Sequence, residues 1–145
     1  MSRLSMLLDE FAGRNAMETP QADAEGRFHI LVDDVEVACF ERFGRLHFVS
    51  PLAPVPEAPE DRRAWLQRLL NHALGRMKQS RSTPAVREDG SAFLFGRCEI
   101  ADVSVQDLES RIEAHVGTLE RYRRAMRGAD APGRVRGAAQ TVLRP

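Results

Sequence analysis

The sequence predicts an α+β domain with the order helix, three strands, helix, two strands, helix, in which an antiparallel twisted sheet is flanked by helices. Apolar residues recur at helical spacing in three segments of the chain. Between those segments they recur at every second position, as in strands with one buried face. Short turns join the strand-like segments, and such turns return the chain antiparallel to itself.

The first helix is predicted over residues 2–14. Leu4, Leu7, Leu8 and Phe11 share one of its faces. A helix of this length is marginal alone in water, so its apolar face must rest on another surface. The polar stretch that follows, as far as Gly26, is predicted to be a loop.

Three short strands are predicted between residues 27 and 50. Their turns fall at Asp33-Asp34 and at residues 42–44, so the strands form an antiparallel meander. Ser50-Pro51 is predicted to end it, because proline has no N–H for the strand ladder.

A proline-rich connector leads into a second helix, whose first turn carries Glu60 and Asp61. Trp65 widens an apolar stripe at helical spacing on this helix. The stripe consists of Leu66, Leu69, Leu70, Ala73, Leu74 and Met77.

A hairpin and a last helix complete the predicted domain. The hairpin strands, residues 86–87 and 92–100, flank an Asp-Gly turn, and the apolar run 93–95 predicts a strand covered on both faces. Ser104 and Asp107 resemble a capping pair before the last helix. Its predicted buried side is Val105, Leu108, Ile112, Val116, Leu119, Tyr122 and Met126. Residues 128–145 are predicted to be a flexible basic tail, and residues 1–127 the domain.

Charge and composition narrow the classes of function. Lys+Arg and Asp+Glu both total 21, and this balance speaks against a nucleic-acid partner. No apolar run approaches the length of a membrane span, and the first eleven residues lack the pattern of a cleavable signal. We therefore expect a cytoplasmic protein without membrane insertion. Cys39 and Cys98 are predicted to be free thiols, with a disulfide or reactive thiol as the alternative.

The sequence carries no recognisable catalytic motif. His29, His47, His72 and His115 are not spaced as metal ligands, and no phosphate-binding or nucleophile motif occurs. We expect no enzyme activity, no metal and no cofactor. The basic cluster of Arg121, Arg123, Arg124 and Arg127 with Tyr122 suits a helix C-terminus, and the alternative is a nucleic-acid patch.

Apolar residues are more plentiful than one small core requires. Trp65 and the apolar face of the first helix are the clearest surplus. Either these residues all belong to the core, or one set forms a dimer and another receives a partner chain.

The order of elements and several segments resemble the effector chaperones of type III secretion systems, of the Tir-chaperone (CesT-like) class I family. The resemblance extends from Met1 to about Arg127. It is carried by the segments SRLSMLLDEFA, RFHILVDDVEVACFE, RLHFVSPL, EDRRAWLQRLLNHAL and DGSAFLFGRCEI.

This resemblance implies a bacterial homodimer that binds the extended N-terminal region of a secreted effector and keeps it soluble. Contact with the secretion ATPase or export apparatus is a further implication. The effector-binding residues carried over are Leu4, Leu8, Phe11, Phe28, Ile30, Val37 and Phe40. The implied dimer residues are Trp65, Leu66, Leu69, Leu70, Ala73 and Phe93. The alternative is a regulatory module of similar fold that sequesters a partner protein.

Overall fold

The computed structural model describes residues 2–129, and its helices and strands follow the predicted order. The helices are α1 (Arg3–Arg14), α2 (Pro59–Arg76) and α3 (Val105–Ala129). The strands are β1 (Phe28–Val32), β2 (Val35–Arg42), β3 (Arg45–Pro51), β4 (Ser82–Val86) and β5 (Ala92–Glu99). The predicted α+β class is confirmed. The predicted tail lies outside the described residues, except that Gly128 and Ala129 still belong to α3.

The five strands form one sheet in the order β1-β2-β3-β5-β4, and all neighbouring strands are antiparallel. β1 and β4 are therefore the two edges. Both turns of the meander use left-handed backbone, with φ of 50° and 65° at Asp33 and Asp34 and 53° and 74° at Phe43 and Gly44. Paired left-handed residues match the twist of the flanking strands. The two predicted turns are confirmed.

The third strand ends at Pro51, as predicted, but not because the proline interrupts the ladder. Pro51 still pairs with Phe93, and the Leu52 N–H donates to the Ala92 carbonyl at 2.9 Å. Successive N–H groups of a strand point to opposite neighbours. Because the Leu52 N–H faces β5, the N–H that Pro51 lacks would point towards β2. The pairing of β2 with β3 has already ended at Ala38 and Val49, so the proline removes no ladder bond there.

Helix α3 provides the main cover of the sheet. It lies across β2 and β3, and both α1 and α2 pack against it. Ser104 and Asp107 form the predicted capping pair, with each side chain accepting from the other residue's N–H at 3.0–3.1 Å. All seven residues predicted for its buried side are buried: Val105, Leu108, Ile112, Val116, Leu119, Tyr122 and Met126.

The apolar stripe of α2 does not all face the core. Trp65 and Leu69 are buried, whereas Leu70, Leu74 and Met77 are 62%, 64% and 70% exposed. The side of α2 that faces α3 runs through His72, whose ring meets Tyr122 edge-on at 4.6 Å between centroids. The face that packs is therefore rotated away from the centre of the predicted stripe.

The second hairpin differs from its prediction in extent and in cover. β4 covers Ser82–Val86 and is longer than expected. In β5, Leu94 is fully buried on the helix side of the sheet, but Phe93 and Phe95 on the other side are only half-buried. The expectation that this strand is covered on both faces is therefore wrong.

One polar side chain lies deep between α3 and the sheet. His115 is 2% exposed, and its Nε2 and Nδ1 lie 3.0 Å from the Ser50 and Ser82 hydroxyls respectively. Gly96 makes this approach possible, since a Cβ there would lie 2.9 Å from the Ser82 oxygen. Both ring nitrogens of the buried imidazole are thus satisfied.

Burial of His115 makes the stability of the fold depend on pH. Burial lowers the pKa of His115 from 6.5 to about 4, so between these values the unfolded chain binds the proton more readily. The contribution of the neutral His115 side chain to the free energy of unfolding is complete above pH 6.5 and is lost as the pH falls towards 4. At pH 5 the loss is about 2 kcal/mol. Urea unfolding at pH 7 and pH 5 measures this loss.

The variant His115→Gln is the control, because its side chain does not titrate. Its difference in unfolding free energy between pH 7 and pH 5 should be smaller than that of the unchanged chain by about 2 kcal/mol. An equal difference in the two proteins would contradict the assignment to His115.

Candidate partner-binding surfaces

Most of the side chains assigned to effector binding lie in the core of the chain. Their exposed fractions are between 0% and 5%, and the residues are Leu4, Leu8, Phe11, Ile30 and Val37. The apolar face of α1 is turned inward, and Arg3 fixes the start of the helix by donating to the Ile100 and Val103 carbonyls. These five side chains are therefore not presented to a partner in this structure.

The other two effector-binding residues are partly accessible, on opposite faces of the sheet. Phe28 and the edge of Leu4 line a groove of about 380 Å³ beside the start of α1. Phe40 lies on the face away from the helices, where its ring stacks on His47 with centroids 4.9 Å apart. The guanidinium of Arg27 lies 4.9 Å from the centre of the same ring.

The predicted dimer residues fall into three groups. Trp65 and Leu69 are buried within the chain, so their side chains support the fold. Leu66, Ala73 and Phe93 are half-buried, and Leu70 is exposed. Of the six, only Leu70 presents most of its side chain outward.

An exposed apolar strip, the α2 surface, consists of Leu70, Leu74 and Met77. The strip borders a groove of about 370 Å³ between α2 and β4, which is also lined by Ala73 and Pro84. The sequence placed Leu74 and Met77 on an apolar stripe at helical spacing. Their spacing identifies a shared face but carries no information on whether this chain covers it.

Two further exposed apolar residues, together called the β1 surface, lie at opposite ends of the β1–β2 hairpin: Leu31 pairs with Glu36 near the β1–β2 turn, and Phe43 follows the end of β2. Leu31 is 62% exposed on the edge strand, and Phe43 is 95% exposed at the β2–β3 turn. Beyond the isolated bridge of Ala22 with Phe28, the described residues leave the outer edge of β1 unpaired. Sequence reasoning missed both residues. The signal was present at Phe43, because tight turns of this kind favour Asn or Gly.

One arginine of the basic cluster on α3, Arg123, has a structural role. Arg123 donates to the Leu52 and Pro51 carbonyls at 2.9 and 2.7 Å, so it fastens the end of β3 to the helix. It also lines a groove of about 820 Å³ with Trp65 and Phe93. The hydrogen bonds of Arg123 thus fix the start of the proline-rich connector to the core.

Both cysteines are free thiols, as predicted. Burial raises the pKa of Cys39 to about 12, which keeps the thiol protonated and unreactive at neutral pH. Cys98 is half-buried, and its pKa is also raised by burial. Among residues 2–129, no three His, Cys, Asp or Glu side chains are placed to hold a metal ion. Within the same range, no helix is long and apolar enough to cross a membrane.

The inward orientation of α1 gives a direct test with a matched control on the same helix. Leu8→Ala should lower the free energy of unfolding by about 2–5 kcal/mol, because it leaves a cavity in a fully buried site. Met6→Ala, at a 55% exposed position, should change it by less than about 0.5 kcal/mol. Urea unfolding of both variants measures the difference. Equal, small losses would show that the apolar face of α1 is not in the core.

Comparison with known proteins places this architecture in a family. The family model of the Tir chaperone protein (CesT) family matches residues 6–123. No curated protein matches the sequence. A chain of the HopA1–SchA chaperone–effector complex has a similar fold, with a TM-score of 0.68 and 19% identity over 84% of this chain and 94% of that chain.

Two further solved structures share the fold. A chain of the complex of the Yersinia pestis type III secretion chaperone SycH with a YscM2 fragment has a TM-score of 0.60, at 20% identity over 81% of this chain and 98% of that chain. A chain of the Pseudomonas aeruginosa ExoT–SpcS complex has a TM-score of 0.61, at 11% identity over 82% and 96%. The family match confirms the resemblance found in the sequence: the chain belongs to the Tir chaperone protein (CesT) family.

Proposed function

We propose that the protein is a cytoplasmic, homodimeric chaperone that binds the extended N-terminal region of a type III secreted effector and keeps it soluble for export. Family membership supports the class of function. The observation that carries the proposal is the position of the exposed apolar side chains. Leu70, Leu74 and Met77 lie beside edge strand β4, Leu31 lies on the opposite edge strand β1, and Phe43 lines a groove with Phe28 of β1.

Two separate apolar surfaces suit a protein with two kinds of partner. The α2 surface adjoins edge strand β4, and the β1 surface lies at the other end of the sheet order. A second copy can cover one surface while the other stays open to a client. Exposed apolar patches on a small domain commonly mark such interaction sites.

We assign the dimer contact to the α2 surface. Leu70, Leu74 and Met77 form a strip on one helix, and a two-fold axis brings such a strip against its own copy. Leu66, Ala73 and Phe93 remain candidates at its margin, because each is half-buried. Trp65 and Leu69 act from beneath, by holding α2 against the core.

We assign the client to the β1 surface and the neighbouring accessible rings of Phe28 and Phe40. An extended segment can pair its backbone with the unpaired edge of β1. Its apolar side chains would then rest on Leu31 and Phe43. The buried side chains Leu4, Leu8, Phe11, Ile30 and Val37 support this surface from inside and do not make the contact themselves.

Holding a client in this way involves no chemical step. Strand pairing and apolar burial supply the free energy, and they must offset the conformational entropy lost when the segment becomes ordered. A nucleotide or metal cofactor has no part in this proposal. Contact with the secretion ATPase or export apparatus is a further part of the proposed role.

The dimer assignment predicts that Leu74→Asp gives a monomer. A charge in the middle of an apolar interface would be left unpaired and without water. Size-exclusion chromatography with light scattering should find the 16.3 kDa chain mass for this variant and twice that mass for the unchanged protein. Leu31→Asp, at the opposite edge with similar exposure, is the matched control and should remain dimeric. A dimeric Leu74→Asp protein would remove the α2 surface from the interface.

The client assignment is tested by pull-down from the native host under secretion-inducing conditions, with mass spectrometry as the readout. The unchanged dimer should retain a secreted protein through that protein's N-terminal region. Leu31→Asp and Phe43→Asp should each weaken its binding at least about tenfold while leaving the dimer intact. Recovery of a folded regulator alone would favour the sequestering module instead. Full retention by both variants would contradict the assignment to the β1 surface.

A further inference from the structure

A small basic pocket lies between α3 and the β4–β5 end of the sheet, and it shares Ser80 and Ser82 with the groove beside the α2 surface. It has a volume of about 200 Å³, and four arginines line it: Arg81, Arg97, Arg111 and Arg121. No Asp or Glu is among its lining residues. A water molecule takes up about 30 Å³ in the liquid, so the pocket has room for a small ion with some of its water. Pockets for larger organic ligands start at about 300 Å³.

The arginines of this pocket have no carboxylate in direct contact among the described residues. In the part of the chain that the structure describes, none of these arginines has a carboxylate oxygen within 4.0 Å. Arg81, Arg97 and Arg111 also border a neighbouring groove, which is lined by the carboxylates of Glu99, Asp102 and Asp107. One oxygen of the Asp107 carboxylate already accepts from the Ser104 N–H at 3.0 Å in the helix cap.

The buried imidazole directs a neutral donor into the same pocket. Ser50 is fully buried, and among the described residues His115 Nε2 is the one partner of its hydroxyl. A buried hydroxyl proton needs an acceptor, so Ser50 donates to Nε2. A neutral histidine with Nε2 as acceptor carries its proton on Nδ1, and that N–H donates to Ser82. The Ser82 hydroxyl proton is thereby free to point into the pocket.

From these contacts we infer that the pocket binds a phosphate group, with Arg81, Arg111 and Arg121 supplying charge and Ser82 a hydroxyl donor. Guanidinium groups form paired, charge-assisted hydrogen bonds with tetrahedral oxyanions. Arg121 is already turned towards this side of α3, since it donates to the Thr118 hydroxyl at 3.4 Å. The phosphate is either free inorganic phosphate or the phosphate of a mononucleotide.

The test is an NMR titration of the full-length protein with sodium phosphate at constant ionic strength, balanced with sodium chloride. The Ser82, Gly96 and His115 resonances should shift and saturate. Arg111→Gln and Arg121→Gln should each weaken binding at least about fivefold, because each removes a charge-assisted hydrogen bond. Ser82→Ala, which keeps the charge of the pocket, should weaken it by a smaller factor.

Matched controls lie outside the pocket. Arg63→Gln on exposed α2 surface and Ser110→Ala on α3 should leave the affinity for phosphate unchanged. A parallel titration with adenosine monophosphate separates the two sources, since stronger binding than inorganic phosphate would identify a nucleotide. The inference is overturned if chloride alone produces the same shifts. It is also overturned if the two arginine variants, folded by circular dichroism, bind phosphate within twofold of the unchanged protein.

Discussion

The packing of α3 on the sheet is the interaction on which the rest of the structure depends. Its seven buried residues face the sheet and the two other helices, and α3 contacts the central strands β2 and β3 whereas α2 contacts edge strand β4. Both α1 and α2 pack against α3. Burial of apolar area is the main source of stability in a domain of this size, and here it is concentrated along one helix. The sheet is consequently covered on one side, and its edges remain available for contacts with other chains.

The sequence predicted the elements better than it predicted their exposure. In α3, helical periodicity and the Ser104–Asp107 capping pair identified both the helix and its buried side, because this helix has a single apolar face against one surface. In α2 the same periodicity identified a stripe but left open whether this chain or a second copy covers it. The stripe through Leu70 and Leu74 is as regular as that of α3, yet it faces outward. Spacing shows which residues share a face, and only tertiary packing decides what covers that face.

At the candidate site, too, the sequence did not determine which side chains are exposed. The resemblance to a family directed attention to α1 with the meander and to α2 with β5, but it could not resolve individual side chains. Leu8 and Val37, which were assigned to effector binding, are fully buried. Leu31 and Phe43, a strand residue and a turn residue, are exposed. The polar contacts of His115 were also beyond prediction, because Ser50 and Ser82 lie 65 and 33 residues away along the chain.

Phe43 in the β2–β3 turn lowers the stability of the folded chain. A bulky residue at a φ of 53° occupies a strained region of backbone space, and its 95% exposed ring gains almost nothing from the core. Glycine or asparagine would fit this turn with less strain. Phe43 therefore makes the folded chain less stable than it would be with glycine or asparagine at this position. Selection for stability alone would replace this aromatic residue. Its presence is explained if the exposed ring contacts another molecule, because that function offsets the lost stability.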